Sequence, residues 1–210
     1  MYINAFYVND FLKEIDYSVA RTPQDRKKVF DTVFKAYTRK GYLSKTKPAD
    51  TFFGYSRQRQ AKSFLASRKG RVLTTATVIP DSPLGLPMDT LYKKHLDKLR
   101  RGNNICEISM LASEPHGPAT ELPSPSPRDK WYLMLHLFDH ILTYVKYSLK
   151  ADYICIAIHP KYAKTYEALN FQPLAGFKAY RELNGAPAIA KYLDVRQTFT
   201  KLVCQCGILN

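Results

Sequence analysis

Glu107 stands in the middle of "ICEISMLAS" (Ile105–Ser113), a run that otherwise reads as buried β-strand. Side chains alternate across a strand, so Cys106, Ile108, Met110 and Ala112 are expected on one face and Ile105, Glu107, Ser109, Leu111 and Ser113 on the other. The first face is apolar and the second is half polar. A carboxylate buried there without a partner either destabilises the fold or takes up a proton, its pKa driven upward. A raised pKa is what a general base working near neutral pH needs. The pattern fits equally a glutamate at a sheet edge paired with a basic side chain. His159 closes the apolar run "DYICIAI" and is a candidate second base, although a lone histidine there also fits a structural role. His136, Asp139 and His140 fall at i, i+3, i+4, a spacing that can present metal ligands on one helix face; with no fourth ligand evident, no metal is expected. Cys204-x-Cys206 lacks the spacing of a zinc site.

The elements that must position these groups can be read from period and punctuation. "IDYSVA" alternates as a strand does. After it, Val29, Phe30, Val33, Phe34 and Tyr37 recur at helical spacing, with Thr22 as cap, Pro23 at the first helical position and Gly41 as terminator. "KSFLAS" and "RVLTTATVI" flank "RKGR" and predict a hairpin. "DSPLGLP" is a turn-rich break, followed by a helix with Met88, Leu91, Leu96 and Leu99 on one face. "EPHGPATELPSPSPRD" is a long Pro/Ser-rich loop. Arg128 to Lys150 reads as a long helix, apolar almost all round, and "DYICIAI" as a central strand covered on both faces. A short helix and one or two strands about Asn184-Gly185 complete the chain. The order of elements predicts an α/β (α+β) fold with a mixed central sheet and flanking helices. The Glu107 strand and "DYICIAI", joined through the long helix, should be parallel neighbours.

The 210 residues are 45% hydrophobic and carry a formal net charge of +14, so one domain spanning 1–210 with a good-sized core is expected. Basic clusters at 25–28, 56–62, 67–71 and 92–101 suit an acidic partner. Four cysteines without a disulfide-framework spacing, no signal-peptide pattern and no uninterrupted apolar span predict a cytoplasmic protein without a membrane span. A basic nucleic-acid-binding module would rest on charge and aromatic content alone. No helix-turn-helix, zinc-finger or aromatic strand motif supports it, and nucleic acid is disfavoured as a partner.

The stretch "TATVIPDSPLGLPMDTLY…LRRGNNICEISMLASEP" with "IAIHPKYAKTYEALNFQPLAGFKAYRELNGAPAIAKYLDV" resembles the long-chain N-acyl amino acid synthases (FeeM-type). These are relatives of the acyl-homoserine-lactone synthases within the GNAT (acyl-CoA N-acyltransferase-like) superfamily. The resemblance runs from about Tyr17 to about Val195, and "PLGLPMD" and "HPKYAKTYEALNF…NGAPA" are its most specific parts. It implies a GNAT fold with a splayed parallel strand pair, and transfer of a fatty acyl group from an acyl carrier protein thioester to the amine of an amino acid. No tightly bound cofactor is implied: the donor is a phosphopantetheine thioester, on an acidic acyl carrier protein or on coenzyme A. Glu107 takes the role of base, Tyr166 matches the superfamily tyrosine that protonates the departing thiolate, and Ser109, Met110, Leu111 and Ala112 pair with the pantetheine. Arg39 and Arg57 are candidates for the acceptor carboxylate, since Arg is its natural bidentate partner. Trp131, Leu135 and Phe138 on the long helix are candidates to line an acyl-chain pocket, and equally could only fill the core.

Two departures bear on the donor. Members using coenzyme A carry a glycine-spaced loop after this strand, whose N–H groups bind pyrophosphate. Here "SEPHGPATELPSPSPRDK" stands instead, which fits a carrier protein better than coenzyme A. The lactone synthases follow the strand Glu with Ser-Arg, whereas this chain has Ser109-Met110, so no arginine contact is carried over to that position. An acetyl-coenzyme A-dependent N-acetyltransferase on the same fold is the alternative reading.

Overall fold

The computed structural model describes residues 10–44, 54, 60–113 and 126–197. A short helix α1 (Asp10–Lys13) leads into β1 (Ile15–Val19) and α2 (Pro23–Arg39). The helix starts where the sequence predicts: the Thr22 hydroxyl accepts the Asp25 N–H and the Asp25 carboxylate accepts the Thr22 N–H, with Pro23 in the first turn. Such a cap is worth about 1 kcal/mol. β2 (Lys62–Arg68) and β3 (Arg71–Pro80) form the expected hairpin. Its turn residues Lys69 and Gly70 both have positive φ, the conformation that matches the twist of the flanking strands.

After β3 come α3 (Asp89–Leu99), β4 (Ile105–Ser113) and α4 (Pro127–Thr143), the last running on into a π-helical turn, Tyr144–Leu149. Then follow β5 (Tyr153–Ile158), a 3-10 turn, α5 (Ala163–Ala168), β6 (Gln172–Tyr180) and β7 (Ala186–Asp194). The strands make one mixed sheet in the order β1-β2-β3-β4-β5-β7-β6, in which β4–β5 is the parallel pair and its neighbours are antiparallel.

The sheet separates two apolar layers. On one face Val29, Val33 and Ala36 of α2 and Tyr92 and Leu96 of α3 pack over Ile79, Ile105 and Cys155. On the other, Leu133, Leu137, Phe138 and Ile141 of α4 pack with Tyr166 and Phe171 over Val78, Cys106 and Ile154. Fully burying one such aliphatic side chain contributes about 1.5–3 kcal/mol. Met88 is the cap of α3 rather than one of its helical positions, and the buried stripe of that helix is Tyr92 and Leu96. The Tyr92 hydroxyl donates to the carbonyls of Ala188 and Gly176, tying α3 to β7 and β6.

α4 is more amphipathic than its sequence suggests. His136, Asp139, His140 and Thr143 are exposed, so burial is confined to the stripe through Leu133, Leu137 and Ile141. His136 and His140 bracket the ring of Tyr17, the latter stacked at 5.2 Å.

The alternation expected along β4 holds only to Ser109. Thr77 pairs with Ser109 and Thr75 with Ala112, so Met110 and Leu111 together face the single residue Ala76. This is a β-bulge, and Met110 sits at φ 55, in the left-handed region that a non-glycine residue occupies only at a cost. The extra residue reverses the faces. Met110 and Ala112 lie in the layer of α2 with Ile105, not in the layer of Cys106 and Ile108.

Candidate active site

The parallel pair is joined over three positions only: Ile105 with Tyr153, Cys106 with Ile154 and Glu107 with Cys155. Beyond Glu107 the strands diverge while β4 runs to Ser113 and β5 to Ile158. Leu133 and Met134 of α4 face the gap, and the β4 bulge lies beside it. The result is a cleft of about 590 Å³ between the strands. Its floor is Glu107 and its sides carry Ser109 to Ala112 of β4, Ile156 to Ile158 of β5 and His159 just beyond it.

Glu107 is 2% exposed. Its carboxylate accepts the Met88 N–H at 2.9 Å and the Ser109 hydroxyl. Burial dominates these bonds and pushes its pKa up to about 8, with the negative charge of Asp89 acting in the same direction. The edge-glutamate alternative is therefore excluded: this acid is interior and is held by a backbone amide and a hydroxyl. Tyr37 from the last turn of α2 and Tyr180 from β6 face it, and burial, then Glu107 itself, raises both phenols. Cys155 of β5 is raised by burial, Cys106 and Glu107. Tyr37, Tyr180 and Cys155 are therefore neutral at pH 7.

Tyr166 lies in the same cleft, brought there by α5, its ring edge-on to Phe138 at 6.1 Å and to Phe171 at 5.4 Å. Burial raises its phenol, so it carries its proton at neutral pH. His159 lines the rim. Its Nδ1 accepts the Lys161 N–H at 3.1 Å, capping the 3-10 turn, and burial with the charges of Lys161 and Lys40 lowers its pKa, which keeps the ring neutral.

Arg39 lines the cleft beside Lys40, whereas Arg57 lies outside the described residues. Cys204, Cys206 and residues 114–125 of the long loop also lie outside them. Trp131, Leu135 and Phe138 do not line the cleft; Phe138 is 4% exposed in the layer beneath α4. The helix turns a different stripe to the gap, Lys130, Leu133 and Met134. With Leu73, Leu111 and Ile158, Leu133 and Met134 supply the apolar wall. Reading the chain alone missed Tyr37 and Met88 at the acid. Tyr37 was visible only as one position of an apolar stripe, and Met88 acts through its backbone N–H, which no residue type announces.

A mixed sheet forked at its parallel pair is a GNAT-like fold. The fold matches a putative N-acetyltransferase from Lactobacillus plantarum (TM-score 0.56, 12% identity, 86% of this chain and 98% of that one). It matches Escherichia coli ElaA similarly (TM-score 0.55, 8% identity, 85% and 99%). The match to FeeM, an N-acyl amino acid synthase from uncultured soil microbes, is much stronger, with TM-score 0.78 and 28% identity over 91% of this chain and 97% of that one. The model of the family described as N-acyl amino acid synthase FeeM matches residues 28–194. The chain belongs to that family, and it is an N-acyltransferase. A comparison with the curated proteins finds no match.

Proposed function

We propose that the protein moves a fatty acyl group from the thioester of an acidic acyl carrier protein to the amine of an amino acid, giving an N-acyl amino acid. The observation that carries this reading is the buried Glu107 at the fork of β4 and β5, poised with a pKa of about 8 at the floor of an apolar-walled cleft. A protonated amine cannot attack a carbonyl carbon. The ionised form of Glu107, which grows as the pH approaches 8, takes the proton, directly or through a water, and the freed nitrogen lone pair attacks the thioester carbon. The carbonyl oxygen becomes an oxyanion, which backbone N–H groups of Ser109 to Ala112 stabilise on the edge of β4 that β5 has left. As the tetrahedral intermediate collapses, the C–S bond breaks, Tyr166 gives its proton to the departing thiolate, and the adduct nitrogen loses its second proton to restore the phenol, leaving the neutral amide.

The same edge pairs with the pantetheine arm. Arg39 holds the acceptor carboxylate, as a guanidinium can with two parallel hydrogen bonds, and His159 orients the incoming amine. The acyl chain runs along Leu133 and Met134 of α4 rather than along Trp131 and Leu135. Arg39, Lys40 and Lys130 make the cleft basic, which together with the +14 net charge favours an acidic carrier. The described residues contain no helix long and apolar enough to cross a membrane, in keeping with work in the cytoplasm on a soluble carrier. The acyl transfer is assigned to one domain, 1–210.

The test is incubation of the purified protein with long-chain acyl carrier protein, long-chain acyl-coenzyme A or acetyl-coenzyme A against a panel of amino acids, with products read by mass spectrometry. N-acyl amino acids formed fastest from the carrier protein, and lost in Glu107→Gln, support the reading. Turnover confined to acetyl-coenzyme A overturns the donor assignment, and equal product from Glu107→Gln overturns the base.

A further inference from the structure

Between β3 and α3 the chain makes a tight turn, Asp81–Asp89, and the sequence "DSPLGLPMD" is explained by what that turn holds. Arg100, just past the end of α3, reaches under it. Its Nε and Nη2 donate to both oxygens of Asp81 at 2.7 and 3.0 Å, and its Nη1 donates to Asp89 at 2.7 Å while Nη2 reaches the other Asp89 oxygen. One guanidinium thus clamps the first and last residues of the turn. Asp89 in turn accepts the Leu86 N–H at 2.7 Å. Gly85 has φ +73, and a Cβ there would meet the Asp89 carboxylate at 2.6 Å, so only glycine lets that carboxylate close on the turn. Two residues past Leu86, the Met88 N–H points at Glu107.

We propose that Arg100 and Asp89 are positioning residues for acyl transfer, clamping this turn so that the Met88 N–H stays on the Glu107 carboxylate and fixes where it points. The inference rests on the reading of Glu107 as the base. Asp89 and the Met88 N–H also act on the proton in opposite senses. Asp89 supplies negative charge that favours protonated Glu107, whereas the Met88 N–H favours the carboxylate. The other groups facing Glu107 are Ser109 and Cys106 from β4, Tyr37 from α2, Tyr180 from β6 and Cys155 from β5, all uncharged at neutral pH. Asp89, neutralised in part by Arg100, is the lever.

Opposite shifts follow. Asp89→Asn keeps an oxygen for the Leu86 N–H, so the turn holds while the charge is lost and the Glu107 midpoint moves down; Arg100→Met leaves Asp81 and Asp89 unneutralised, loosens the turn and moves the midpoint up. Each shift should be at least about half a pH unit. The readout is the carboxyl 13C titration of glutamate-labelled full-length protein, with the Glu107 signal assigned by its loss in Glu107→Gln. The pH limb of kcat should move with it while KM for the acceptor changes little. If Arg100→Met does not fold, Arg100→Lys, which keeps the charge but cannot span both aspartates, should still shift the limb upward. Folded variants whose Glu107 midpoint stays at the wild-type value overturn the proposal. The titration needs no turnover, so a wild-type protein that titrates as expected but acylates no amino acid defeats the proposed function and leaves the clamp standing.

Discussion

Replacing Glu107 by glutamine should stabilise the protein at alkaline pH. The side chain is fully buried, and its pKa in the folded chain is about 8 against an ordinary 4.5. Between those two values the folded state keeps a proton that the unfolded state has released. The folded state therefore binds more protons across this window, and wild-type stability falls as pH rises through it. Each pKa unit corresponds to about 1.4 kcal/mol, so the full displacement amounts to roughly 5 kcal/mol, absent below about pH 4.5 and complete above about pH 8. Glutamine keeps the carbonyl oxygen that accepts the Met88 N–H and carries no titratable proton. For a chain of this size a kcal/mol corresponds to about 2–4 °C in melting temperature, so Glu107→Gln should melt roughly 10–20 °C above wild type at pH 9. The two curves should converge near pH 5. Thermal unfolding followed by circular dichroism from pH 5 to 9 measures this without any substrate. A variant that melts at or below the wild type across the whole range would refute the claim that the acid is desolvated and strained.

Three further perturbations separate the roles assigned across the cleft. Tyr166→Phe keeps the ring contacts with Phe138 and Phe171 but removes the proton donor; kcat should fall about 10–100-fold with little change in melting temperature. Arg39→Ala should raise KM for the acceptor by about 10–100-fold, the worth of a charge-assisted hydrogen bond of roughly 1.5–3 kcal/mol, and leave kcat near wild type. Met134→Trp, on the α4 stripe that lines the cleft, should shorten the preferred acyl chain in a competition among donors of different length. Trp131→Ala, on a residue outside the cleft lining, should leave that preference unchanged.

The sequence was most informative where local chemistry decides conformation. Thr22-Pro23 with Asp25 specifies the start of α2, Lys69-Gly70 specifies the hairpin, and a long helix between two apolar runs specifies a parallel pair, because each depends on a few adjacent residues. What depends on tertiary pairing was not visible. The bulge at Met110 is set by the register of β4 on β3, and no glycine marks it, so the alternation inferred from periodicity failed from Met110 onward. The rotation of α4 was equally hidden. Apolar residues occur on most sides of that helix, and whether Leu135 or Met134 meets the cleft depends on how it seats over the sheet. Arg39 reached the site because α2 ends at the cleft, a matter of helix length that caps could indicate.

The position of the acid within β4 is what couples its burial to its use. Glu107 is the last residue of β4 paired to β5. Two residues earlier, Ile105 is sealed in the layer beneath α2 and α3, where a carboxylate would be desolvated but could reach no substrate. Two residues later, Ser109 is half-exposed on the open part of the strand, where water would return a carboxylate toward its ordinary pKa. Only at the fork does one side chain have the interior behind it, raising its proton affinity, and the cleft before it. If Glu107 is the base as proposed, moving the fork by a single pair would disable it without touching it.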